Sequence, residues 1–250
     1  MKSIASKITG GKAGFVFTKD LNREDVPMLK EYWYKCEDTG VFFTPSLDNF
    51  KPEEWNKFYK YPEYFRYDKP STISRRDERV YALISRVQER FGIKHPKILF
   101  HGNGASNAIF RLYLAGYDVY ATYSFFDWDR SISVEEAQGM GDFDIVCGIE
   151  IIEHWADPIM EFDIVDSLLK KGGIFCGTTS LATNTEEMSG GWHALRQHSI
   201  NAGHVTIWTE DAFDEICGKY YYENHTERGD KKMRSKSNMP ATCVFFQFKK

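Results

Sequence analysis

Little in this chain ties it to a membrane, to disulfides or to a long polyanion. Among its 250 residues no apolar stretch is long enough to cross a bilayer, and the first fourteen have no apolar signal core. Cysteine is scarce and odd in number. Cys36, Cys147, Cys176, Cys217 and Cys243 are scattered, partly inside apolar runs, which is the pattern of reduced core thiols rather than of a disulfide framework. A formal net charge of −4 excludes a global basic field, so charge alone does not favour a nucleic-acid partner. One local basic cluster, Lys231, Lys232, Arg234 and Lys236, reads as a solvated loop within reach of an anionic substrate. There is no internal repeat and no low-complexity tract. The expectation is a cytoplasmic protein with no membrane partner.

What is present is globular: 42% of residues are hydrophobic and 16% aromatic. From Lys97 onward, strand-like apolar runs at 97–101, 118–122, 143–147 and 173–178 alternate with helical spacing at 107–115 and 159–169, which is βαβ grammar. A helix over 71–91 leads into the first strand, and Lys170-Lys171-Gly172-Gly173 reads as a helix end. Near the C-terminus, 219–223 and 241–248 read as two further strands joined by the charged segment 227–238, a hairpin. Residues 1–70 are rich in Tyr, Phe, Trp and Pro and read as an irregular aromatic cap, with 71–250 as the main domain. The fold expected is α/β: a doubly wound, mostly parallel, Rossmann-like sheet with an antiparallel C-terminal hairpin and that cap.

Two segments carry chemistry. After the first strand, His101-Gly102-Asn103-Gly104-Ala105-Ser106-Asn107 is a strand-to-helix turn whose glycines allow a ligand close to the backbone, with helix-start amides able to bind a carboxylate or phosphate. A G-x-G turn also serves geometry alone. The second segment is Glu150-Ile151-Ile152-Glu153-His154-Trp155, at the end of the run Phe143 to Gly148, where open α/β sheets bind ligands. If it turns helically, Glu150, Glu153 and His154 share one face, a donor set for a divalent cation. The same carboxylates and imidazole would also make an ordinary helix cap. His101, His193 and His198 are candidate bases, and each also reads as a structural or surface histidine.

At this point the chain resembles the class I S-adenosylmethionine-dependent methyltransferases, over roughly residues 75–250. The resemblance lies in FDIVCGIEIIEHWAD, from Phe143 to Asp157, and KKGGIFCGTT, from Lys170 to Thr179. It implies that Gly102, Asn103 and Gly104 contact the cofactor's methionine moiety, with Tyr123 and Glu150 as further cofactor-binding candidates. Two departures stand out. The family's acid before the glycines corresponds to Phe100 and its ribose-binding acid to Tyr123, with Asp127 or Asp129 as replacements. Only about twenty residues separate Tyr123 from Phe143, so the helix and third strand there must be short or missing.

The E-x-x-E-H sequence is similar to that of small-RNA 2′-O-methyltransferases and some quinone-pathway O-methyltransferases. His204-Val205-Thr206-Ile207-Trp208-Thr209 resembles the former's later histidine segment. The resemblance implies a divalent metal on Glu150, Glu153, His154 and His204, and the donor types suit Mg, Mn, Fe, Co or Zn. His154, His198 and Glu153 are the catalytic candidates, and Glu153 with His154 would also serve as an acid and base pair without metal. The cap, through 9–15 and 34–45, faintly resembles the zinc-ribbon region of some sugar methyltransferases, but only Cys36 remains, so a zinc site is absent. The expected function is a metal-assisted O-methyltransferase of a small hydroxylated metabolite, a sugar or phosphate-bearing precursor. The alternatives are an RNA-terminal ribose 2′-O-methyltransferase and a repurposed fold that has lost catalysis.

Overall fold

The computed structural model describes residues 2–23, 26–51, 54, 70–102, 106–122, 128–179, 181–182, 203–228 and 242–248. The chain opens with strands β1 (Ile4–Ala5), β2 (Lys12–Arg23), β3 (Val26–Cys36) and β4 (Phe42–Phe43). Helix α1 (Pro70–Phe91) leads into β5 (Lys97–His101), α2 (Ser106–Leu114) and β6 (Asp118–Thr122). Next come a two-residue β7 (Ser131–Ile132), a short α3 (Val134–Met140) and β8 (Phe143–Ile149). A single 3-10 turn (Ile152–His154) precedes α4 (Pro158–Leu168) and β9 (Leu169–Thr178). The chain then forms β10 (Thr206–Ile207), α5 (Glu210–Tyr220), β11 (Tyr222–Asn224), β12 (Glu227–Arg228) and β13 (Thr242–Phe248).

These elements divide into two compact units. The first comprises residues 1–67, 153–159 and 181–215, and the second 68–152, 160–180 and 216–250. The second holds an eight-stranded sheet in the order β11-β13-β9-β8-β5-β6-β7, with β12 on β13. Its central strands β9, β8, β5, β6 and β7 are parallel, and β13 closes antiparallel on β9. Strand β5 is a short apolar run buried on both faces beyond Lys97, as a central parallel strand requires, while β6 runs from an exposed Asp118 to a buried Ala121 and Thr122. Along β5, Ile98 and Phe100 enter a core with Val80, Leu83, Ile84 and Val87 of α1 and Ala108, Ile109 and Leu112 of α2. The opposite face is aromatic: Phe162 of α4 meets Phe175 of β9 edge-on and Phe246 of β13 at a tilt. Helices on both faces make the sheet doubly wound.

The middle is short, as the spacing after Tyr123 requires. Helix α3 survives at seven residues through a capping box, in which Ser133 accepts from the Glu136 amide and Glu136 accepts from the Ser133 amide.

Three sequence expectations are corrected. The cap is not irregular: β1 to β4 and β10 form a five-stranded antiparallel sheet, with Trp33, Tyr34, Phe42 and Phe43 buried on it. Residues 170–173 do not end a helix but continue β9, with a register shift between Phe143 and Ile145 of the partner strand. Lys219 and Tyr220 close α5, so the strand beyond is only Tyr222–Asn224. Cys36, Cys147, Cys176 and Cys217 are buried thiols outside any disulfide, as core cysteines are. Among the described residues no helix is long and apolar enough to cross a membrane. Of the C-terminal linker, 229–241 lies outside the described residues, as does its basic cluster.

Candidate active site

In the second unit, β6 and β8 flank β5 on opposite sides, so the connections leaving their carboxyl ends diverge there. In open α/β sheets this switch point is where ligands bind. Gly102 sits at it with φ 94°, a backbone state that side chains disfavour. Space makes the same demand, because a Cβ at Gly102 would lie 2.8 Å from Ile151 Cγ1. Ile151 also packs over Gly148, whose own added Cβ would meet Ile151 Cγ2 at 3.1 Å. Two glycines thus make the notch that receives one isoleucine. Of the other cofactor candidates, Asn103, Gly104, Tyr123 and Asp127 lie outside the described residues, and Asp129 is exposed in the turn before β7. Phe100 is buried in the apolar core, so no carboxylate stands at that position.

His101, expected as a possible base, is instead 3% exposed with both ring nitrogens engaged. Nδ1 lies 3.0 Å from Thr122 Oγ1, and Nε2 lies 2.9 Å from Glu161 Oε2. The Gly102 amide donates to the same Thr122 hydroxyl at 3.2 Å. Sequence reasoning missed Thr122 and Glu161. Thr122 is the register partner of His101 across β5 and β6, and Glu161 comes from the first turn of α4.

Glu150 does not join a helical face. It follows β8 with φ 49°, its amide donating to the carbonyl of Thr178 at 2.9 Å, so the strand hydrogen bonding extends one residue past Ile149. Only residues 152–154 then turn, which breaks the three- and four-residue geometry expected from the spacing.

In the first unit, Glu153, His154 and His204 do converge, each offering a ligand atom within 4.8 Å of the others. The His204 segment is stitched in place by backbone bonds. The Val205 amide donates to the Glu153 carbonyl at 2.8 Å, the Thr44 amide donates to the Val205 carbonyl at 3.0 Å, and β10 pairs with β4. Lys7 Nζ donates to the carbonyls of Ala156 at 2.8 Å and Thr44 at 3.1 Å, and pairs with Asp48.

The donor chemistry follows. Glu153 is 2% exposed, with Oε1 3.8 Å from His204 Nε2. His154 donates Nδ1–H to the carbonyl of Gly203 at 3.0 Å, which leaves Nε2 as the ring's lone-pair site. Burial lowers the His154 pKa to about 4, partly opposed by that hydrogen bond, so the ring is neutral and able to coordinate near pH 7. The two imidazoles stand edge to face, 4.8 Å between centroids. His193 and His198 lie outside the described residues.

A parallel sheet wound on both faces with a glycine turn at its switch point is a nucleotide-cofactor architecture, and comparison with known proteins specifies which. A family model for a methyltransferase domain matches residues 84–227, more than half of the chain. The chain belongs to that family and is a class I S-adenosylmethionine-dependent methyltransferase.

Among solved structures, a Burkholderia thailandensis 1,6-didemethyltoxoflavin-N1-methyltransferase with bound 1,6-didemethyltoxoflavin and S-adenosylhomocysteine is 10% identical. The match covers 94% of this chain and 100% of that one, with a TM-score of 0.55. A plantazolicin methyltransferase in complex with a pentazolic desmethyl analogue and S-adenosylhomocysteine is 11% identical over 82% of this chain and 95% of that one, with a TM-score of 0.51. At such identities the likeness is one of fold. No curated protein matches the chain in sequence.

Proposed function

We propose that this methyltransferase transfers the methyl group to a hydroxyl of a small metabolite, a sugar or phosphate-bearing precursor, with a divalent cation held by Glu153, His154 and His204. The observation that carries the reading is the convergence of those three side chains from segments fifty residues apart, with His154 neutral and its Nδ1–H given to the Gly203 carbonyl. Ligand atoms on one cation at about 2.0–2.2 Å stand no more than roughly 4.4 Å apart. The observed span of 4.8 Å therefore needs a contraction of only a few tenths of an ångström. When bound, the cation lowers the pKa of a hydroxyl that reaches it.

The chain's own residues set the rest. Gly102, at the switch point with φ 94°, is assigned to the cofactor's methionine moiety, together with Asn103 and Gly104, which follow it in the sequence. Glu150, just past the end of β8, is a cofactor-side carboxylate rather than a member of the three-residue cluster. The acidic balance favours a small acceptor over a polyanion.

Metal content measured by mass spectrometry after dialysis against manganese tests the reading. One ion per wild-type chain is expected, with loss in Glu153→Gln and His204→Ala. Equal metal in all three proteins would overturn it.

A further inference from the structure

We propose that Thr122, His101 and Glu161 form a positioning relay for the glycine turn, so that cofactor affinity depends on a glutamate of α4. The inference rests on the assignment of the Gly102 turn to the cofactor and is independent of the metal cluster.

Four groups stand in one line: the Gly102 amide, Thr122 Oγ1, the two nitrogens of His101 and Glu161 Oε2, at 3.2, 3.0 and 2.9 Å. Hydrogen-bond capacity gives this line a direction. A carboxylate only accepts, so His101 Nε2 carries a proton toward Glu161. In the neutral ring Nδ1 is then an acceptor, and the Thr122 hydroxyl donates its one proton to it. A lone pair of Oγ1 is left to take the Gly102 N–H. Every proton points from the turn toward Glu161, and each bond polarises the next.

The setting explains why such a line is specific. Thr122 is fully buried and His101 nearly so, in a sheet whose neighbouring strand residues are apolar. A polar pair there is costly unless satisfied at every atom, so the arrangement has one low-energy geometry. Glu161 anchors the outer end. Its side chain is 24% exposed, and it stands in the first turn of α4, where the helix dipole favours a carboxylate. That helix is itself fixed, because Tyr220 donates to Asp163 at 2.6 Å and Tyr222 to Asp166 at 2.8 Å. The amide of Gly102 is thereby tied through two side chains to a rigid element. The Gly102 amide is held before the cofactor arrives, which removes an ordering cost from binding.

Titration calorimetry with S-adenosylhomocysteine, beside thermal unfolding, tests the relay. Glu161→Ala and Thr122→Val should each weaken binding about tenfold, and the double variant should be no weaker than the worse single, because both break one line. Thr122→Ser, which restores the hydroxyl, should bind within about twofold of wild type. Glu161→Ala takes the acceptor from the buried His101 Nε2–H and should also lower the melting temperature, whereas Glu161→Gln, whose amide oxygen still accepts, should keep it and bind within about twofold of wild type.

The relay is overturned if Glu161→Ala binds as wild type does, or if the double variant shows the product of two independent losses. It is also overturned if Thr122→Ser is as weak as Thr122→Val. Unchanged binding by Gly102→Ala would instead remove the cofactor assignment of the turn, and the relay with it.

Discussion

His154 donates its Nδ1 proton to the carbonyl of Gly203, 3.0 Å away, and by doing so commits its other nitrogen to lone-pair chemistry. That one bond fixes the tautomer, orients the ring edge-on to His204 and joins the E-x-x-E-H segment to the later histidine segment.

His154→Ala should therefore lower manganese affinity by more than about 100-fold, beyond the loss usual when only an outer hydrogen-bond partner is removed. Calorimetry on metal-stripped protein measures it. His204→Ala should match it, and Glu150→Ala should fall far less, because Glu150 follows β8 outside the three-residue cluster.

Gly102→Ala is expected to lower stability by about 1–3 kcal/mol and to impair S-adenosylhomocysteine binding. Both φ 94° and the 2.8 Å approach to Ile151 oppose a side chain there. Adding Ile151→Ala should recover the steric part and not the backbone part, so chemical denaturation of the double variant should show partial rescue.

How far these features were legible in the sequence depends on how local their cause is. The strands β5 and β6 coincide with the apolar runs at 97–101 and 118–122, and for β5 burial on both faces writes itself as continuous hydrophobicity. The long pair β2 and β3 left no such mark. Its register shifts between Phe15 and Phe17 and again between Leu21 and Arg23, and the first shift moves the side chains from Phe17 onward to the other face, interrupting the period of two. At the site, E-x-x-E-H was visible as a cluster of donors, but its helical reading failed because the Glu150 amide bonds to Thr178 on the neighbouring strand. Thr122 and Glu161 carry no sequence signal at all, since strand register and the docking of α4 bring them to His101.

Lys7 is an expected stability determinant of the first unit. Its ammonium bridges the carbonyls of Thr44 and Ala156 and pairs with Asp48, while burial lowers its pKa. Lys7→Met would leave those acceptors and the carboxylate without it, at a cost of about 2–3 kcal/mol. Urea unfolding should show the loss.

Alkaline stability should report Tyr222. Burial, and then the bond to Asp166, raises its pKa well above the usual value of 10.0. Above that pH the unfolded chain loses this proton while the folded chain keeps it. Stability should then fall with rising pH, by about 1.4 kcal/mol per unit from this group. The increment is present below pH 10 and should be missing in Tyr222→Phe, as unfolding at pH 9 to 11 would show.

The most direct test of the account is the thermal shift of metal-stripped protein with S-adenosylhomocysteine, with manganese and with both, against metal-only controls. The account predicts that each ligand alone raises the melting temperature and that together they raise it further, as two distinct sites on the folded state require. Stabilisation by S-adenosylhomocysteine with no response to manganese would contradict the metal-assisted mechanism.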